Sequence, residues 1–299
     1  MRRLLLLPVV VGAVFAGCVQ SPCCRHDVPH PRHVVAMIFD GLAGWTVNPQ
    51  SMPTVCGLMK EGSWTLESRS VLPSSSSLNW HSLFTCSASE QHGYTKWDTR
   101  TPVFEPAAVG ENGLYPDIFY MLRKQRPEAK SYLFCEWDGI LFDVDTNACT
   151  VVCHKKTISA ADDVCETLKR ERPAIIAACY DNPDHVGHGH GWNTPEYINV
   201  LNFLDGEVAK VVKTIKELGI EDDTVLIITS DHGGVGLGHG GPTMYEMGRP
   251  FVIVGPGVRK GHEIGVSGAV YDDGATISAL LGIRPHPAWI GRPRYEIFE

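Results

Sequence analysis

The sequence predicts an α/β fold, with one mostly parallel central sheet sandwiched between helices in a single domain. Three observations predict it. Five short apolar runs, rich in β-branched residues, are continuous rather than alternating, as strands covered on both faces are. Helical patterns separate these runs, and strand–helix alternation builds a parallel sheet. Three of the runs end directly in clusters of Asp and His. In open α/β sheets, ligands bind beyond the carboxyl ends of the strands.

The chain has 299 residues, a formal charge of −8 and 43% hydrophobic residues. That is enough apolar material for one large core, and the acidic balance excludes a nucleic-acid scaffold, which would show a basic face. Residues 1–17 read as an export signal: Arg2 and Arg3, an apolar run from Leu4 to Phe15, then small residues before Cys18. The apolar run is short for a bilayer span. "FAGC" resembles the bacterial lipobox, which would make Cys18 a lipid-anchored first residue, with plain secretion as the alternative. Residues 18–32 are Pro-rich and polar and read as a tether. Residues 33–299 then form the single folded domain. Ten cysteines in an exported chain permit disulfides. Cys149 and Cys153 are spaced like half a zinc knuckle without its partner half, so a disulfide or free thiols are expected there. Cys179 reads as simply buried.

The first strand, "HVVAMIF" (33–39), runs into Asp40. "LPSSSSLNWHSLFTC" (72–86) breaks at Pro73 and turns helical near Leu78, which puts serines at a helix N-terminus, where free N–H groups favour an anion. Composition does not choose among those serines. "SYLFC" (131–135) is a second strand, and "AIIAACY" (174–180) a third that leads into Asp181, Asp184 and His188. The clearest helix is 194–219. Thr194 caps it, Pro195 fits its first turn, and Gly219 stops it. "TVLIIT" (224–229) delivers Asp231 and His232, and a glycine-rich stretch follows to His239. "FVIV" (251–254) is the fifth strand.

Asp40, Asp184, His188, Asp231, His232 and His239 thus converge on one sheet edge. Carboxylates and imidazoles without thiolates suit zinc. Six ligands suit two ions roughly 4 Å apart, the arrangement that clamps attacking and leaving oxygens in phosphoryl transfer. The glycines around His239 would let the backbone approach the ions closely. Each piece alone has an ordinary structural explanation: Asp40 capping a helix, Asp-His-Gly making a turn. Their shared place at strand ends carries the metal reading.

These motifs resemble the alkaline phosphatase superfamily, in its type I phosphodiesterase/nucleotide pyrophosphatase branch. The resemblance rests on "IFDG", Ser76 three residues before Asn79, "EQHGY" (90–94), "NPDHVGH", "SDHGG" and the closing segment "VYDDGATISALLGIRPHPAWIGRP". It runs from about residue 33 to the end. It implies an alkaline phosphatase-like fold and an exported, metal-dependent phosphoester hydrolase holding two divalent ions, expected as Zn2+. Ser76 would be the nucleophile and a metal ligand, passing through a phosphoseryl intermediate. Asp40, Asp231 and His232 would hold one ion and Asp184, His188 and His239 the other. Asn79 would donate to a phosphoryl oxygen. The substrate would be a small phosphodiester or nucleotide-like molecule.

The chain departs from the branch in having Ser76 for Thr, Leu78 for Pro, and no arginine in the nucleophile segment, which speaks against a monoesterase. Its last His ligand also comes early, and His262 and His286 are rivals for His239. Asp181 is expected either to orient a ligand His or to sit in a solvated turn. Trp97 reads as core packing, with a place in the substrate pocket beside Lys96 as the alternative. Specificity loops are expected within 95–157. A phosphomonoesterase, phosphonate hydrolase or phosphotransferase on the same site remains an alternative, as does a non-enzymatic metal-binding lipoprotein. The Cys/Ser-x-Pro-x-Arg motif of sulfatases does not occur.

Overall fold

The computed structural model describes residues 27–155, 160–265 and 268–299. The expected export signal, Cys18 and most of the expected tether lie outside the described residues.

In β1 (His33–Phe39), Val34, Ala36 and Ile38 enter one layer of the core, and Val35, Met37 and Phe39 the other. A strand coated on both faces has no solvent position, so its apolar run is unbroken. The same holds for β3 (Ser131–Cys135), β5 (Ile175–Tyr180) and β6 (Thr224–Thr229). Among the described residues, eight strands form one sheet, completed by β2 (Ser63–Arg69), β4 (Val151–His154), β7 (Gly248–Val254) and β8 (His262–Glu263). Their order is β4-β3-β5-β1-β6-β7-β2-β8. β1 lies at the centre, parallel to β5 and β6, and β3 is parallel to β4 and β5.

Phe251–Val254, expected as one more parallel strand, belongs to β7 and runs antiparallel to both β6 and β2. Between β6 and β7 there is one four-residue helix, Met244–Met247, and no crossover helix to carry the chain back to the starting edge. Three strands were not foreseen. β4 and the two-residue β8 are the sheet's outer strands, and β2 alternates buried with half-exposed residues, so none shows a continuous apolar run.

The helices, in chain order, are α1 (Pro53–Glu61), α2 (Ser76–Thr85), α3 (Ser89–His92), α4 (Ile118–Gln125), α5 (Ile140–Asp143), α6 (Ala160–Arg170), α7 (Asp184–His190), α8 (Pro195–Glu217), α9 (Met244–Met247) and α10 (Val270–Leu280). α2, α4 and α10 cover one face of the sheet, and α1, α6 and α8 the other. α8 is the helix expected over 194–219. Thr194 accepts a hydrogen bond from Tyr197 N–H, Pro195 opens the first turn, and Gly219 adopts φ +59° just past the end. Tyr197, Leu201, Leu204, Val208 and Val211 are fully buried along one stripe of α8.

Among the described residues, Cys149, Cys153 and Cys179 are free thiols, and no helix is long and apolar enough to cross a membrane.

One ion cluster sits inside the fold. Asp273 of α10 accepts from Arg249 of β7 at 2.6 Å and from Arg294 at 2.8 and 2.9 Å, with all three side chains buried. Arg249 also donates to the Ser230 carbonyl at 2.9 Å, so the cluster braces the turn after β6. Removing one member of a buried ion group leaves uncompensated charge and typically costs about 3–5 kcal/mol. Asp273→Ala is therefore expected to lower the urea midpoint by that much stability at unchanged slope. A variant within about 1 kcal/mol of wild type would remove this cluster from the account of stability.

Candidate active site

Three neighbouring strands, β5, β1 and β6, end side by side, and hydrogen bonds from backbone N–H groups tie their exits together. Asp40 N–H donates to Tyr180 O at 2.9 Å, and Asp184 N–H to Asp40 O at 3.0 Å. Gly41 N–H donates to Asp231 Oδ1 at 3.1 Å, and Leu42 N–H to Ser230 Oγ at 3.0 Å. Gly41 has φ +67°, and a Cβ there would lie 2.7 Å from Asp184 Cβ, so only glycine lets the β1 exit pass this close to α7. Trp192 and Tyr197 both donate to the Gly41 carbonyl, fixing the turn from the far side.

α2 brings in the serine segment. Ser76 is its first residue and Ser75 its N-cap, and no side chain caps the first-turn N–H groups. Ser76 Oγ lies 3.1 Å from His232 Nε2 and 3.4 Å from Asp40 Oδ1. Ser77 is turned away, with its hydroxyl beside Asp143 Oδ1 and Thr99 O. Ser74 binds the 239–241 loop, accepting from Gly240 N–H and donating to Gly241 O. Geometry thus separates serines that composition could not.

The three imidazoles are held alike. His232 Nδ1 bonds Gly233 O at 2.8 Å, His239 Nδ1 bonds Ser74 O at 2.8 Å, and His188 Nδ1 bonds Leu237 O at 3.0 Å. A carbonyl only accepts, so each Nδ1 carries the proton and each Nε2 turns a lone pair inward. Burial keeps His232 and His239 neutral, with pKa values pushed down to about 3. His188 Nε2 and His239 Nε2 stand 3.1 Å apart, and they lie 3.4 and 3.6 Å from the two oxygens of Asp184.

Among the described residues, two groups could hold a metal ion: Asp184, His188 and His239, and Asp40, Asp184 and His232. Asp184 is their shared corner. Asp231 joins the second group from behind, its Oδ2 3.2 Å from His232 Nε2. The residues fit a cation on three counts. Facing lone pairs repel, yet two imidazoles on one tetrahedral zinc place their nitrogens about 3.3 Å apart, from bonds of 2.0–2.1 Å. Asp184 Oδ1 and Asp231 Oδ2 are buried without a hydrogen-bond partner. The carboxylates also crowd one another. Burial, then mutual repulsion, raises the Asp40 and Asp184 pKa values well above the ordinary range, and burial raises Asp231 to about 6.

Every residue expected at the metal centre is therefore gathered here. His262 and His286 are not: His262 lies on the edge strand β8 opposite Ser63, and His286 in the loop after α10 beside Ala288. Asn79 is corrected. Its side chain is fully engaged with the backbone of its own turn, accepting from Val71 N–H at 2.7 Å and donating toward Val71 O, Pro73 O and Ser75 O. It clamps the loop before α2 and has no donor left for a substrate. The glycines near His239 divide their work differently from the expectation. Gly233 and Gly234 are the crowded ones, against Tyr245 O and the Trp192 ring, whereas Gly240 is required by its φ of +108° and has open space around it.

A cavity of about 600 Å³ opens over Ser76, walled by Trp97, Trp137, Asp181 and His185 and floored by Asp40, Asp184, His188 and His239. Trp97 is 64% exposed and lines this cavity, so it is not core packing; Lys96 is exposed outside it. Asp181 is half-buried in the wall, its N–H on Glu136 Oε2. Trp137 and Glu136 were missed in the sequence, although the signal was there: "SYLFC" also runs straight into a polar cluster, "EWDG". Among the described residues, no Lys or Arg lines the cavity. A second cavity of about 580 Å³ lies at the opposite edge of the sheet, where Arg32 and Lys130 are paired with Asp223 and Glu171.

The model of the type I phosphodiesterase/nucleotide pyrophosphatase family matches residues 34–119 and 123–240, which contain every one of these candidate metal ligands and Ser76. The chain belongs to this family. Within the family it is 25% identical over 229 residues to rat ectonucleotide pyrophosphatase/phosphodiesterase family member 1, covering 72% of this chain and 25% of that one. To human bis(5'-adenosyl)-triphosphatase ENPP4 it is 23% identical over 239 residues, covering 76% and 53%. The chain thus spans a quarter to about half of these curated relatives. In fold it is similar to murine ectonucleotide pyrophosphatase/phosphodiesterase 5, solved as an inactive variant with AMP. The TM-score is 0.69 at 15% identity, over 89% of this chain and 99% of that one. A 2-O GAG sulfatase shares the fold too, at TM-score 0.71 and 13% identity, over 89% and 73%.

Zinc added to chelator-stripped protein is expected to raise the melting temperature, more at pH 8 than at pH 5. The carboxylates' folded pKa values are raised above their unfolded ones, so their ionisation costs the metal-free fold stability as pH rises through the folded values. At pH 5 protons already satisfy these groups and compete with the cation. At a hundred times its dissociation constant, one ion adds about 2.7 kcal/mol. Scanning fluorimetry that showed no zinc response at either pH would count against a metal centre.

Proposed function

We propose that this protein is an exported, metal-dependent hydrolase of phosphodiester or pyrophosphate bonds, with Ser76 as its nucleophile. The observation that carries the reading is the ring of inward-facing Nε2 atoms and partnerless carboxylate oxygens closing around a serine hydroxyl at a helix N-terminus. Two divalent ions, one near Asp40, Asp231 and His232 and one near Asp184, His188 and His239, would supply positive charge that acidifies the serine and offsets charge on the phosphoryl group.

The chain's own residues do the rest. His232 Nε2 and Asp40 Oδ1 bracket Ser76 Oγ at 3.1 and 3.4 Å, fixing its rotamer beside the atoms that would hold the first ion, and the serine proton passes to the leaving oxygen. Ser76 Oγ bonds to phosphorus as the bond to the leaving oxygen breaks, and that oxygen keeps the electron pair and gains a proton. Water then cleaves the phosphoseryl ester, releasing the phosphorylated product and returning a proton to Ser76. The uncapped first-turn N–H groups of α2 suit the non-bridging oxygens, the role that Asn79 cannot take. Relatives named for nucleotide pyrophosphate substrates, and a neighbour solved with AMP, support a nucleotide-like substrate. The Trp97 and Trp137 faces in the cavity wall agree with a planar group there. A cavity lined by no Lys or Arg among the described residues favours the singly charged diester over a dianionic monoester. Export is supported by the basic–apolar–small pattern over 1–17 and by relatives named as ectoenzymes, and a lipid at Cys18 would anchor the product of cleavage.

Ser76→Ala is expected to lower hydrolysis of bis(p-nitrophenyl) phosphate by about a thousandfold or more while zinc content stays near wild type. Retention of most activity would exclude Ser76 as nucleophile. The wild-type protein is expected to turn over this diester faster than p-nitrophenyl phosphate. The reverse ranking would move the reading to a monoesterase.

A further inference from the structure

α2 delivers more than Ser76. Trp80 lies four residues on, hence on the same helix face and one turn deeper. Its ring is 1% exposed and stacks on Phe84, with centroids 6.3 Å apart and planes at 15°. A buried indole N–H needs an acceptor. Here it donates to Asp40 Oδ2 at 3.1 Å. The other oxygen, Oδ1, faces Ser76 Oγ at 3.4 Å and His232 Nε2 at 3.4 Å. One helix therefore grips both oxygens of the same carboxylate. Without the indole bond, Asp40 could rotate about its terminal torsion and present either oxygen, or both, to a cation.

We propose that Trp80 is a positioning residue that sets how Asp40 binds metal. Its N–H withholds Oδ2 and leaves Oδ1 as the single ligand atom, aimed beside the Ser76 hydroxyl. This inference rests on the metal reading given above. Partners that orient a ligand without touching the metal typically change metal affinity by about 10–100-fold. Nothing else on α2 reaches Asp40 Oδ2 by a hydrogen bond among the described residues.

The test is zinc affinity of the purified full chain, by competition with a chromophoric chelator, alongside the melting temperature of the metal-free protein. Trp80→Phe keeps a ring and removes the N–H. It is expected to weaken one of two zinc-binding steps by about 10–100-fold and leave the other unchanged. Phe84→Leu loosens the same packing but keeps the N–H, and is expected to bind zinc as wild type does. Should Trp80→Phe fail to fold, β-(3-benzothienyl)alanine introduced at position 80 replaces only N–H by sulfur and is expected to show the same single-step loss. Wild-type zinc affinity in the N–H-free protein would overturn the inference. So would an equal loss in Phe84→Leu, which would reduce Trp80 to packing. Wild-type protein that took up no zinc would instead sink the metal reading itself, and this inference with it.

Discussion

Everything at the site depends on the hydrogen-bonded lacing of three strand exits around the Asp40–Gly41 turn. The β1 exit donates to β5 through Asp40 N–H, accepts from α7 through Asp40 O, and donates to the β6 exit through Gly41 and Leu42. These are bonds from buried backbone N–H groups, two of them to the Asp231 and Ser230 side chains, and a missing partner there costs about 1–3 kcal/mol. They leave no freedom to slide one exit against another. Asp40 is thereby held in one cluster with two carboxylates more than 140 residues further along the chain, Asp184 and Asp231. Gly41 is the tightest point, because α7 passes where a side chain would be.

That lacing forces an electrostatic problem on the fold. Asp40, Asp184 and Asp231 are packed together away from water, and each pKa is raised by burial. The nearby imidazoles cannot relieve this by taking protons, since burial keeps His232 and His239 neutral. Their Nδ1–H bonds to backbone carbonyls commit Nε2 to acting as an acceptor. A cluster made only of acceptors is stable at neutral pH if a cation enters it. The site is thus built as a vessel for positive charge, with the serine hydroxyl at its lip.

The walls carry a different message from the floor. Floor residues come from sheet exits and α2, whose backbones are locked by the core. Trp97 comes from the loop after α3, and Trp137 and Asp181 from the exits of β3 and β5. The Trp97 loop is nevertheless tied to α2, because Ser77 Oγ lies 2.9 Å from Thr99 O. A loop is where specificity diverges while the scaffold stays fixed.

Much of this was legible in the residues alone. The buried strands showed as continuous β-branched runs, α8 showed its cap, stripe and stop, and Asp40, Asp184, His188, Asp231, His232 and His239 stood at strand ends where ligands gather. These are local signals of periodicity, capping and chain order, which a linear sequence records faithfully. Other features were not local. β7 reversed direction because its connection lacks a crossover helix, and Asn79 turned inward because its own loop needed every hydrogen bond it had. The choice of Ser76 over its neighbours, the exclusion of His262 and His286 from the cluster, and the contact between Trp80 and Asp40 all depend on where side chains point after packing. Sequence determined which chemistry the chain carries to the sheet edge. Only tertiary structure decided which atoms meet there, because orientation is fixed by contacts between residues far apart along the chain.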